Sequence, residues 1–180
     1  MLTKLEFITP TLMTVFELFL GDPIQEFHER EVVRKTRVSL GSANKILRRL
    51  ARLGFLVRNR RGRMVFYRLN VRDPEVRQFK VLVNLHTLRK LVNELKQFSR
   101  RSILFGSCAE GTDVRGSDID LFVLASEKDP VRKKISEFNR ESERKIALII
   151  VSASEFAKLK REDTALYENI EKGVVIWESE

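Results

Sequence analysis

Along residues 9–20 the apolar positions Leu12, Val15, Phe16, Leu18, Phe19 and Leu20 recur at helical spacing, with Thr9 or Thr11 as cap around Pro10 and Gly21-Asp22-Pro23 as stop. A second helical pattern covers residues 26–36, with Phe27, Val32 and Val33 inward. Ser39 is placed to cap a third helix over residues 40–53, whose buried stripe is Ala43, Ile46, Leu47, Leu50 and Leu53. Gly54 suits the position after that helix, and short strands are predicted at 55–57 and 64–69 around Arg58-Asn59-Arg60-Arg61-Gly62-Arg63. Asp73-Pro74 then opens a long helix, residues 75–98, with Phe79, Val81, Leu82, Leu85, Leu88, Leu91, Val92 and Leu95 apolar.

From Arg101 the pattern changes to alternating strands and helices: a strand at 101–105, a sharp turn or short helix at Gly106-Ser107, and a buried strand at 119–124. A helix at 130–144, a strand at 146–151, helices at 154–161 and 163–172, and a strand at 174–177 complete the expected order. This is the order of a compact α/β unit.

Charge divides the chain at the same place. Residues 1–98 carry 20 Lys+Arg against 9 Asp+Glu, whereas residues 99–180 carry 14 against 16, within an overall net charge of +9. Two domains are therefore expected, the basic one with nucleic acid as its partner. The outward face of the third helix presents Ser42, Asn44, Lys45, Arg48, Arg49 and Arg52, a set able to reach base edges and phosphates together. Glu6, Pro10 and Glu17 interrupt the apolar stretch at 5–20, so neither a signal peptide nor a membrane span is expected. With Cys108 as the single cysteine, a cytoplasmic protein is expected, and Cys108 itself is expected only to pack.

The segment "EREVVRKTRVSLGSANKILRRLARLGFLVRNRRGRMVFYRLN" resembles the winged helix-turn-helix transcription regulators of bacteria and archaea over residues 9–72. That resemblance implies duplex DNA as partner, with the third helix in the major groove and Arg60, Arg61 and Arg63 on a wing touching backbone or minor groove. It also implies a homodimer, formed through the long helix.

The second half contains "ILFGSCAEGTDVRGSDIDLFVL". Period-two geometry puts Asp118 and Asp120 on one strand face, where two carboxylates repel unless a hard cation is shared, and magnesium suits a few carboxylates plus phosphate oxygens. Gly106 permits close backbone approach, and Ser107 offers a hydroxyl and an N–H to an anion. Gly106-Ser107, ten residues, then Asp118-Ile119-Asp120 resembles the signature of the polymerase β-like nucleotidyltransferases, particularly their minimal forms, over residues 100–178. The resemblance implies that Gly106, Ser107 and Ser117 meet the nucleotide, ATP or another triphosphate, and that Asp118 and Asp120 are the catalytic, magnesium-binding pair. Nucleoside monophosphate, AMP for instance, would pass to a hydroxyl on a protein such as a toxin, in an antitoxin-like role.

Active members of that family usually carry a third carboxylate on the next strand, and residues 145–151 hold no acid; Glu141 and Glu143 are the nearest substitutes. The alternative is a DNA-binding transcription regulator whose second domain is catalytically inactive and only binds nucleotide or mediates dimerisation. The expected architecture is two domains: an all-α winged helix-turn-helix with a β-wing over residues 1–73, then an α/β (α+β) nucleotidyltransferase-like domain with a small mixed sheet over 99–180. Residues 74–98 are the linking or dimerisation helix between them.

Overall fold

A computed structural model describes residues 8–179, and the chain divides into two compact units, Met1–Arg77 and Gln78–Glu180. In the first, α1 (Pro10–Gly21) starts where the Thr9 hydroxyl accepts from the Leu12 N–H at 3.3 Å, with proline at the one place where its missing N–H costs nothing. Leu12, Val15, Phe16, Phe19 and Leu20 form its buried face, each contributing about 1.5–3 kcal/mol by leaving water.

The helix expected at 26–36 begins later, because Phe27 and His28 form a short strand, β1 (Phe27–His28), paired antiparallel to Tyr67 and Phe66. Phe27 is buried there, edge-on to Phe19 at 5.2 Å between ring centres, so tertiary packing overrides local helical spacing. His28 then caps α2 (Glu29–Thr36), its Nδ1 accepting from the Arg30 N–H. Ser39 caps α3 (Leu40–Arg52), which buries Ala43, Leu47 and Leu50. The strand expected at 55–57 is longer: β2 (Leu56–Arg61) carries the basic residues within the ladder, opposite β3 (Met64–Leu69), and the hairpin turns at Gly62 with φ +61°. The sheet order is β1-β3-β2.

Asp73 accepts from the N–H groups of Glu75 and Val76 at the start of α4 (Pro74–Leu95), which from Gln78 onward belongs to the second unit. There a mixed four-stranded sheet has the order β6-β5-β4-β7, built from β4 (Arg101–Leu104), β5 (Ile119–Leu124), β6 (Ile146–Val151) and β7 (Val174–Glu178). Only β5 and β6 run parallel, joined across α6 (Lys128–Glu141). The short α5 (Gly106–Glu110) follows β4, while α7 (Ala153–Glu162) and α8 (Thr164–Glu171) follow β6.

Alternation along β5 divides the core in two. Ile119, Leu121 and Val123 pack with Leu88, Leu91, Val92 and Leu95 of α4 and Val131 and Ile135 of α6. Phe122 and Leu124 face the other way, against Phe156, Leu159, Leu166 and Ile170 of α7 and α8. α6 stops at Glu141, short of the expected 144, which leaves Glu143 and Arg144 on the loop before β6. Among the described residues no helix is long and apolar enough to cross a membrane.

Candidate functional site

Asp118 and Asp120 lie at the entry to β5, on the side that Phe122 and Leu124 share farther along the strand. Asp118 is exposed and Asp120 half-buried. Burial, and after it the charge of Asp118, raises the Asp120 carboxyl above its ordinary value.

The Gly-Ser turn meets this pair directly. Phe105 is extended and its N–H donates to the Asp120 carbonyl at 3.1 Å. Gly106 then turns into α5 with φ +63°, and a β-carbon there would overlap the Asp120 carboxylate. Glycine is required twice over, for the left-handed backbone and for the approach. Ser107 follows, half-buried, with its carbonyl accepting from the Thr112 N–H at 3.0 Å. Ser117 turns the loop before Asp118, its hydroxyl accepting from the Val114 N–H at 3.0 Å.

Gly106, Ser107, Ser117, Asp118 and Asp120 thus sit on the adjoining ends of β4 and β5. Among the described residues no group of three or more His, Cys, Asp and Glu could hold a metal by itself. Two hard carboxylates on one side of a strand nonetheless fit a cation such as magnesium, which takes one or two carboxylates and completes its shell with water and phosphate oxygens.

Parallel pairing sets Ala147 beside Asp120 and Ile149 beside Phe122. The neighbouring position for a third carboxylate is therefore an exposed alanine, a fact of register that the acid-free strand only hinted at. Glu141 and Glu143 are exposed on the preceding segment.

Sequence reasoning missed what lies beneath. Lys80 and Asn84 of α4 are buried with Asp113: Lys80 Nζ donates to the Asp113 carbonyl and lies 3.4 Å from its Oδ1, which accepts from Asn84 Nδ2 at 3.2 Å. Arg144 joins them, 3.3 Å from Asp113 Oδ2 and donating to Asn84 Oδ1 at 2.9 Å. Burial lowers the Lys80 ammonium and raises the Cys108 thiol from their ordinary values. The signal was present in α4, whose apolar stripe is interrupted by one lysine and one asparagine four residues apart.

On the first unit, Lys45, Arg48 and Arg52 line a shallow depression of α3 with Gly41 and Asn44; Arg49 lies beside it, and Ser42 is exposed near the helix start. The side-chain amide of Asn44 faces the Glu29 carboxylate, and its nitrogen, turned toward it, donates to both oxygens at 2.9 and 2.8 Å. On the hairpin, Arg60 Nε donates to the Gly62 carbonyl, Arg61 pairs with Glu26 at 2.5 Å and lies 5.1 Å over Phe66, and Arg63 is exposed.

A four-stranded mixed sheet with helices on both faces, and a left-handed glycine packed on paired aspartates, define the class. Residues 85–176 match the nucleotidyltransferase domain family, and the chain belongs to it. No curated protein matches the chain. Among solved structures, a toxin-antitoxin complex with AMP-PNP is 23% identical, covering 54% of this chain and 75% of that one, with a TM-score of 0.40. A mutant of the toxin-antitoxin MntA–HpeT is 20% identical over 53% and 74%, with a TM-score of 0.39. TrmBL2, described as an archaeal chromatin protein with a novel mode of DNA binding, is 14% identical over 91% and 70%, with a TM-score of 0.32.

Proposed function

We propose that the second unit binds a nucleoside triphosphate, ATP in the first instance, with magnesium, and transfers its nucleoside monophosphate to a hydroxyl. The observation that carries this reading is the approach of Gly106 to Asp120 beside Asp118, which sets the Gly-Ser turn directly against the pair of carboxylates. Gly106 and Ser107 hold the phosphates, Ser117 borders them, and Asp118 and Asp120 hold the cation. The cation supplies neutralisation of phosphate charge when bound. In the transfer, the acceptor oxygen bonds to the α-phosphorus, the bond from that phosphorus to the β-phosphate oxygen breaks, and pyrophosphate leaves. The acceptor proton passes to solvent, because Ala147 puts no acid beside Asp120.

That same alanine favours a second reading, a unit that binds the nucleotide without transferring it. Titration with ATP, with and without magnesium, followed by an assay for labelled AMP on protein, separates the two. Magnesium-dependent binding with label supports transfer, binding with no label on any supplied acceptor supports the second reading, and no binding removes both.

The first unit, in our reading, is a winged helix-turn-helix that binds duplex DNA through Ser42, Lys45, Arg48 and Arg49 of α3 and the arginines of the β2–β3 hairpin. Asn44 faces Glu29 and reads a base only by turning away from that carboxylate. A cytoplasmic homodimer acting with a protein partner such as a toxin completes the proposal. Leu82 supports the dimer, being 58% exposed on α4 while Val81, Leu88, Leu91 and Leu95 of the same stripe are buried. Light scattering tests it directly, since a monomeric mass at all concentrations removes the dimer.

A further inference from the structure

Asp118 hangs from a backbone clamped from below at two successive carbonyls. Arg144 Nε donates to the Ser117 carbonyl at 3.2 Å, and the Cys108 thiol donates to the Asp118 carbonyl at 3.4 Å. The same guanidinium reaches that thiol, with Nη2 2.8 Å from Cys108 Sγ. Its remaining contacts, to Asn84 Oδ1 and Asp113 Oδ2, fix it to α4 and to the start of the 113–118 loop. Asp113 is held in turn by Lys80. One side chain therefore ties together both ends of the loop, the sulfur behind the Gly-Ser turn, and the helix underneath.

From this geometry we infer that Arg144 is a positioning residue for Asp118, fixing the loop so that its carboxylate is presented beside Asp120. Arg144 itself touches neither carboxylate. The inference rests on the proposed nucleotide site for its functional consequence, and the clamp for its physical content. Preorganisation matters here because two carboxylates that must meet one cation repel each other, and a loose loop relaxes by moving them apart. Lysine cannot replace arginine in this role: a single ammonium lacks the planar fork that reaches Ser117, Cys108, Asn84 and Asp113 at once.

The experiment compares the wild-type chain with Arg144→Lys and Arg144→Gln, using hydrogen exchange read by mass spectrometry and titration with ATP with and without magnesium. In both variants amides of residues 113–118 are expected to exchange at least about tenfold faster while those of α6 and β6 stay within about twofold of wild type. Magnesium-dependent ATP affinity is expected to fall about tenfold, with metal-free ATP affinity within about twofold. Wild-type exchange in the lysine variant overturns the inference, because charge alone would then suffice. Faster exchange throughout the unit also overturns it, by reducing Arg144 to a general stabiliser. If the wild-type chain binds no ATP, the nucleotide reading fails, and the exchange pattern still decides whether Arg144 holds the loop.

Discussion

Gly106 packs so tightly on Asp120 that a β-carbon placed on the glycine would lie 3.2 Å from the aspartate's Cγ and collide with a carboxylate oxygen. The glycine also sits at φ +63°, where a side chain is strained whatever the space around it. Gly106→Ala is therefore expected to lower unfolding free energy by about 1–3 kcal/mol and to displace the Asp120 carboxylate. Urea unfolding checks the first effect, and loss of magnesium-dependent ATP binding at a temperature where the variant stays folded checks the second.

The aspartate pair is a site of stored repulsion. Burial and the Asp118 charge hold the Asp120 carboxyl above its ordinary value, so the ionised form is disfavoured in the folded state and the cost appears as pH rises past the ordinary aspartate range. Asp120→Asn removes that cost and, without metal, raises stability at neutral pH, while abolishing the magnesium dependence of ATP binding. Thermal melts in a chelator and the binding titration are read on the same sample. A melting point that falls contradicts the repulsion argument.

Most of this site was legible because its motif is local. Gly106, Ser107, Asp118 and Asp120 belong to one β-turn-β passage, and period two along β5 orders the carboxylates without knowledge of the rest. The stretch Phe27-His28 was not legible, because a two-residue strand depends on pairing with Tyr67 and Phe66 some forty positions away. Nor was Arg144: next to Glu143 it reads as a surface residue at a helix end, and only the earlier stop of α6 turns it under the loop. The significance of Ala147 needed the parallel register with Asp120, which sequence alone leaves open.

Glu155 gives a pH dependence away from the site. It accepts from Lys128 Nζ at 2.6 Å and closes a capping box with Ser152, and these bonds, the lysine's first, bring its carboxyl from 4.5 down to about 2. A folded value below the unfolded one means that the stabilisation is complete above the unfolded value and is lost as pH falls through the folded one. The difference in melting temperature between wild type and Glu155→Gln is therefore expected to be largest at neutral pH, to narrow from pH 4.5 downward, and to close near pH 2. Circular-dichroism melts across that window check it, and a constant difference contradicts the assignment.

The hairpin arginines are expected to differ in what they do. Arg61 is held inside its own unit by Glu26 and by the face of Phe66, whereas Arg63, past the turn, is exposed. If the hairpin lies along duplex DNA, Arg63→Ala removes a phosphate contact, and the slope of log affinity against log salt falls by about 0.9. Arg61→Ala instead loosens the hairpin, with a smaller change in slope and a lower melting temperature. Arg48→Ala on α3 serves as the third comparison: a contact to a base edge weakens binding to a preferred sequence more than to random duplex, while a phosphate contact weakens both alike. Fluorescence-anisotropy titrations of the three variants over a salt series measure all of these quantities. Equal slopes for wild type and Arg63→Ala remove Arg63 from the interface, because a cation that displaces no counterion touches no phosphate.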